Sequence, residues 1–295
     1  MNKWSFFAVL CCILLLCALP AMAQEEQALP VITITYAAGA PLSHEEAVDA
    51  QVTIARDGQE HAFPARLRLN AAAMDSEERK LPQRSLYIEG ADMRFVLYND
   101  GGDALRTKLL STACSGLVAQ CPVAVPVRTQ EPVEVYVNGD YRGLYSRRED
   151  IADAIARFEG LDSAATLNVA DVNKKAFCGD PAGIANALQQ LKALNLSLEA
   201  DRQTLSTLLD TESFLNWAAV NAFFGNLNMK SDVIFYQVGN GPIKCAMGDF
   251  AYALMFAAHN PYASLNTITT DVVIIIESML LNQPCLLYTS PSPRD

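Results

Sequence analysis

The chain has 295 residues, with 22 Lys and Arg against 33 Asp and Glu, 51% apolar content and a formal net charge of −11. A balance of that sign excludes a surface built to displace counterions from nucleic acid, and the apolar share is too high for a disordered chain. No period recurs, so collagen, solenoid and coiled-coil classes are excluded too, and the length accommodates one large domain or two small ones.

The amino terminus has the layout of a secretory signal. Lys3 precedes an apolar run from Phe6 to Leu19, followed by Pro20 and the small-x-small triplet Ala21-Met22-Ala23. Cleavage is expected before Gln24, leaving a secreted or cell-envelope protein with no transmembrane anchor. Of the eight cysteines, Cys114, Cys121, Cys178, Cys245 and Cys285 lie beyond the signal. No CxxC or Cys/His cluster points to zinc. Cys114 with Cys121, and Cys178 with Cys245, are candidate disulfides in an exported chain, and buried free thiols are the alternative.

In chain order, alternating apolar and β-branched positions predict strands at 29–36, 51–55, 65–69, 85–88 and 95–98. A helix is expected over 103–117, capped by Asp103, with Leu105, Leu109, Leu110 and Ala113 on one face. The segment PVEVYVNGDYRGLYSRRED predicts a hairpin: Val133, Val135 and Val137 alternate, and Asn138-Gly139 supplies a tight turn that needs two positive φ angles. Helices follow at 151–158, 181–194, 201–209 and 210–224, the last capped by Asp210 and ended by Gly225. Two strands, 231–238 and 243–247, come after them. The pattern is α+β, with a β-rich amino-terminal part and a helical carboxy-terminal part.

The end of the chain, PCLLYTSPSPRD, resembles the translated adapter sequence that terminates many metagenomic reading frames; a natural disordered tail is the alternative. On the first reading the natural protein continues past residue 283. The expected organisation is a signal over 1–23, a β-rich lobe over 24–160, a mainly helical and incomplete lobe over 161–283, and a non-native tail over 284–295.

Several segments in order resemble the kinase-like family of spore coat protein H (CotH). The stretch VEVYVNGDYRGLYSRRED is similar to that family's strand, Asn-Gly turn, Gly-Leu-Tyr and downstream acid. FLNWAAVNAFFGNLNMKSDVIFYQV is similar to its helix ending in Gly-Asn-x-Asp, and KCAMGDFAYALMF stands in the place of its Trp-Asp-x-Asp segment. Upstream, ARLRL, LPQRSLYI and ALRTKLL follow the family's order of an Arg-Gly strand, a Lys-Lys-Ser strand and a Leu-Arg-x-Lys helix. The resemblance implies an atypical protein-kinase-like fold and, in active members, transfer of phosphate from ATP to exported proteins. It places Arg84, Arg106, Glu149 and Asn226 at ATP-binding positions, with Glu149 orienting a cation, and Asp249 at a Mg-binding position.

The departures from the family pattern bear on activity. Asn228 stands where the family has the catalytic Asp, and an amide cannot accept a hydroxyl proton. Asp232, four residues on, is a candidate replacement base. Ala251 replaces the second acid, Gly248 the Trp, and the Arg-Gly turn has become Leu69-Asn70-Ala71-Ala72-Ala73, without the glycines that let amides approach phosphate. Each site residue also has a plain structural reading: Arg84 and Glu149 as surface charges, Asn226 and Asn228 as helix caps, Asp249 as a turn former. The expected function is a weakly active or pseudokinase member that binds ATP, Mg and an exported or cell-surface protein. An active secreted Ser/Thr kinase and an envelope or spore-coat assembly protein with no nucleotide site are the alternatives. No serine-hydrolase, Walker or dinucleotide motif supports another enzyme class.

Overall fold

The computed structural model describes residues 28–70, 81–226, 229 and 233–254. Its first part is a closed seven-stranded barrel. The strands are β1 (Val31–Tyr36), β2 (Val48–Arg56), β3 (Gln59–Leu69), β4 (Leu86–Gly90), β5 (Arg94–Tyr98), β6 (Gln130–Val137) and β7 (Asp140–Glu149). They close in the order β1-β2-β3-β4-β5-β7-β6. All neighbours run antiparallel except β1 and β6, which pair in parallel with Val31 opposite Glu134. Alternation explains the lumen: Ile32, Ile34, Val52, Leu67, Ile88, Leu97, Val133 and Val135 point inward and are fully buried. In the β6–β7 turn Asn138 and Gly139 have φ of 50° and 87°, the pair that a type I′ turn needs. The Asn138 side chain also accepts from the Tyr36 N–H over 2.9 Å, tying the turn to the end of β1.

Helix α1 (Leu110–Gln120) is inserted between β5 and β6. It begins later than the periodicity suggests, because Lys108 (φ 57°) adopts left-handed backbone that interrupts an α-helix. Asp103 still acts as a cap, but for the turn: its carboxylate accepts from the N–H groups of Thr107, Leu109 and Leu110, each at 3.1 Å. Leu105 and Leu109 are exposed rather than on a buried face.

The second part is a four-stranded sheet with helices on both faces. After β7 come α2 (Ile151–Glu159), β8 (Leu167–Asp171), β9 (Ala176–Cys178), α3 (Ala182–Ala193), α4 (Glu199–Leu208), α5 (Thr211–Phe223), β10 (Ile234–Val238) and β11 (Lys244–Ala246). The sheet order is β11-β10-β8-β9. Ile151 and Ile155 of α2 pack on Val169, Ile234 and Tyr236 on one face. Ile184, Leu188, Phe214 and Trp217 of α3 and α5 pack on Ala170, Phe235 and Cys245 on the other. Burial on both faces is why β10 opens on an apolar run, Ile234 to Tyr236, with no polar alternation. Asp150 caps α2 by accepting from the Ala152 N–H, and Asp210 caps α5 through the Ser213 N–H, both over 2.9 Å.

The mixed arrangement of barrel, helices and second sheet is α+β. Strands β8 and β9 have no counterpart among the elements read from the sequence, so the chain after residue 160 carries strands as well as helices. The four described cysteines, Cys114, Cys121, Cys178 and Cys245, are free thiols. Cys114 sits in α1 and Cys121 at its C-cap, so the helical rise holds them about 10 Å apart along the axis, too far for a disulfide. Cys178 on β9 and Cys245 on β11 are separated by two intervening strands, about 14 Å across the sheet. The expected leader, the apolar run 272–281 and the tail 284–295 lie outside the described residues. Among the described residues no helix is long and apolar enough to cross a membrane.

Candidate functional site

A buried polar cluster lies where the end of the barrel meets the segment after β11. Strand β5 delivers Tyr98, and the turn after it delivers Asp100, Asp103 and Lys108. Strand β7 delivers Ser146 and Arg148, the link before β6 delivers Arg128, and the residues after β11 deliver Asp249. Two glycines permit the approach: a Cβ on Gly101 would stand 2.5 Å from the Tyr98 hydroxyl, and one on Gly102 would stand 2.6 Å from the Tyr252 ring. The methyl of Ala251 faces Gly101 from the other side. The Phe250 N–H donates to the Ser111 hydroxyl of α1 over 3.3 Å, which fixes this segment against the barrel side of the cluster.

Asp249 is partly buried and held by its neighbours. Its Oδ2 accepts from the Tyr98 hydroxyl at 3.0 Å and lies 3.7 Å from a guanidinium nitrogen of Arg148. Its Oδ1 accepts from the Ala251 N–H at 2.9 Å, and its backbone carbonyl accepts from the Asn226 side chain at 3.1 Å. Arg148, only 2% exposed, donates to Gln130 and to Ser111, each over 2.9 Å, and its guanidinium lies 3.4 Å above the centre of the Tyr98 ring. Tyr98, Arg148 and Asp249 therefore form a closed triangle of contacts.

Asp100 is a fully buried acid of the cluster. Its Oδ1 accepts from the Ser146 hydroxyl over 2.6 Å, while its Oδ2 is buried with no hydrogen-bond partner. Burial pushes its carboxyl up to about 6 against the pull of Arg148 and Lys108. Lys108 contacts the Gln83 side-chain oxygen and donates to the Leu144 carbonyl at 3.3 Å; burial lowers its ammonium, with Asp100 opposing. Arg128 has a buried Nε with no partner, and burial followed by the neighbouring Arg148 brings its guanidinium down to about 10.

The residues singled out by resemblance separate into three groups. Asp249 and Asn226 come together in the cluster. Glu149, Arg84 and Arg106 do not. Glu149 binds Arg157 through Nε at 3.1 Å and a terminal nitrogen at 2.9 Å, and it accepts from the N–H and hydroxyl of Thr129 at 3.1 Å each. Burial raises its carboxyl, but Arg157 and Thr129 outweigh it and the net shift is downward. The cation it orients is thus Arg157. Arg84 and Arg106 are exposed. Asn228 and Asp232 lie outside the described residues.

Sequence reading missed Asp100, Lys108, Arg128 and Arg148. Lys108 was within reach as the Lys of the segment ALRTKLL, two residues past Arg106. Arg128 and Arg148 carried no signal, because an arginine next to strand residues reads as solvent-facing.

The described residues fit a resident magnesium ion poorly. Magnesium takes octahedral oxygen coordination, whereas the oxygens of Asp249 are used by Tyr98, Ala251 and a guanidinium. Among the described residues no group of three or more His, Cys, Asp or Glu side chains is placed to hold a metal.

The family model described as CotH kinase protein matches residues 73–283, the greater part of the chain. No curated protein matches the sequence.

Proposed function

The chain belongs to the CotH kinase protein family, and from that premise we propose that it is an exported kinase-fold protein with a degraded catalytic set, binding a nucleotide and a protein partner with little or no phosphate transfer. The observation that carries this reading is the state of Asp249. At the position where the resemblance puts a metal-binding acid, the carboxylate is engaged by Tyr98 and Arg148 at 3.0 and 3.7 Å. Phosphoryl transfer depends on positioning and on neutralising phosphate charge. A chain with Asn228 at the base position and Ala251 at the second acid lacks the ordinary means of both. Two features support a site retained for binding: Lys108 is held half-buried beside Asp100, and Asn226 holds the backbone of Asp249 in place. Export rests on the leader-like residues 1–23.

Thermal denaturation with and without ATP, followed by labelled-phosphate transfer to a hydroxyl-bearing protein, tests the reading. Stabilisation by ATP with negligible transfer is expected. Robust transfer makes the chain an active secreted kinase, and no stabilisation makes it an assembly protein whose fold is only a scaffold. Amino-terminal sequencing of exported material is expected to begin at Gln24; a start at Met1 in membranes overturns export.

A further inference from the structure

The link between α1 and β6 walls a cavity of about 290 Å³, together with α1 and the end of α2. Val118, Val123, Val125 and Phe158 line it, and so do two guanidiniums, Arg128 and Arg157. Phe158 is exposed, so a solute can enter from solvent. The two arginines differ in what they touch. Arg157 donates to Glu149 at 3.1 and 2.9 Å and to the Val127 carbonyl at 3.1 Å. Arg128 is partly buried, its Nε is enclosed, and its guanidinium makes no hydrogen bond or ion pair among the described residues. A guanidinium held partly out of water with its donors unused is costly unless an anion completes it.

Glu149 offsets the charge of Arg157, so the cavity keeps one uncompensated positive charge, that of Arg128. One charge suits a monoanion; a phosphate dianion would add a second negative charge near Glu149. The aliphatic and aromatic wall asks in turn for an apolar body. We propose that the cavity binds a free apolar monocarboxylic acid of medium chain length, its carboxylate on Arg128 and its hydrocarbon against the valines and Phe158. Size agrees: a cavity of about 150 Å³ holds the six carbons of benzene, so this one takes about a dozen non-hydrogen atoms. A peptide chain end fits less well, because it would bring in amide groups that need partners of their own. Thr129 is already engaged by Glu149, and Gln130 by Ser115 and Arg148. The inference does not rest on nucleotide binding.

Calorimetric titration of octanoate, 1-octanol and acetate into the full chain tests it. Octanoate is expected to bind saturably. Octanol, which keeps the chain and loses the charge-assisted bonds, is expected to bind about tenfold more weakly or less, and acetate not at all. Arg128→Gln is expected to weaken octanoate about tenfold, or about 1.4 kcal/mol, and to leave octanol unchanged. Octanol as tight as octanoate, or unchanged octanoate affinity in a folded Arg128→Gln variant, overturns the role of Arg128. Acetate or inorganic phosphate binding as tightly as octanoate overturns the role of the apolar wall. An N-acetylated tripeptide ending in a free phenylalanine carboxylate that binds more tightly than octanoate overturns the free acid as ligand. Absence of octanoate binding overturns the site. The wild-type titrations decide even where the variant does not fold.

Discussion

The side-chain amide of Asn226 donates to the backbone carbonyl of Asp249 over 3.1 Å and to the Asn221 side-chain oxygen over 2.9 Å. One buried amide thus joins the end of α5 to the segment carrying the central acid of the cluster. Asn226→Ala leaves these acceptors without their donor and is expected to cost about 2 kcal/mol. Asn226→Asp is expected to cost more, because it sets a buried carboxylate against a carbonyl oxygen. Urea unfolding of the two variants measures the difference, and equal midpoints for Asn226→Asp and wild type would refute the tie.

Asp100 makes stability depend on pH. Its folded-state pKa of about 6 lies above the ordinary carboxyl value, so between roughly pH 4 and pH 6 the folded protein binds more protons than the unfolded chain. Stability from this group is full below pH 4, falls as pH rises through 6, and is constant above. The loss amounts to about 3 kcal/mol by linkage. Asp100→Asn removes the effect, so its stability relative to wild type is expected to improve by that amount between pH 4 and pH 7. Chemical denaturation at both pH values reads the change; a difference that stays flat with pH contradicts the assignment.

Ala251 is fully buried, with its methyl against Gly101. Restoring an acid there adds a desolvated charge next to Asp249. Ala251→Asp is therefore expected to destabilise by about 3 kcal/mol or more, as unpaired buried charges do. Thermal unfolding checks this, and an unchanged midpoint would show that the position opens to solvent.

Thiol reactivity should follow burial. Cys121 is exposed, whereas Cys114 and Cys245 are buried, and burial pushes the Cys114 thiol up to about 11. Iodoacetamide under native conditions is expected to label Cys121 first and to spare Cys114 and Cys245 until unfolding. Mass spectrometry of timed samples decides; early labelling of Cys245 would contradict the sheet packing.

The barrel was legible in the sequence where one face of a strand meets one core. Val133, Val135 and Val137 alternate cleanly, and Asn138-Gly139 admits few backbones other than the one observed. Helix α2 was legible through its period, and α5 through Asp210 and Gly225 as well. Strands β8 and β9 were not, since LNVAD carries the poor strand formers Asn, Ala and Asp and AFC has only three residues. The start of α1 was misplaced because Lys108 gives no local sign of positive φ. Within the site, Asp249 and Asn226 were reached by resemblance. Arg128 and Arg148 escaped, because burial of a charge is decided by partners distant in sequence, such as Ser111 and Tyr98 for Arg148.

The parallel pairing of β1 with β6 sets a condition on the order of folding. Tyr36 and Asn138, which meet at this seam, are 102 residues apart in the chain, so the first strand must wait for most of the barrel to emerge from the ribosome before its second edge is covered. Until then it exposes an unpaired row of N–H and C=O groups together with Ile32 and Ile34. A nascent chain in that state is a natural client for a chaperone.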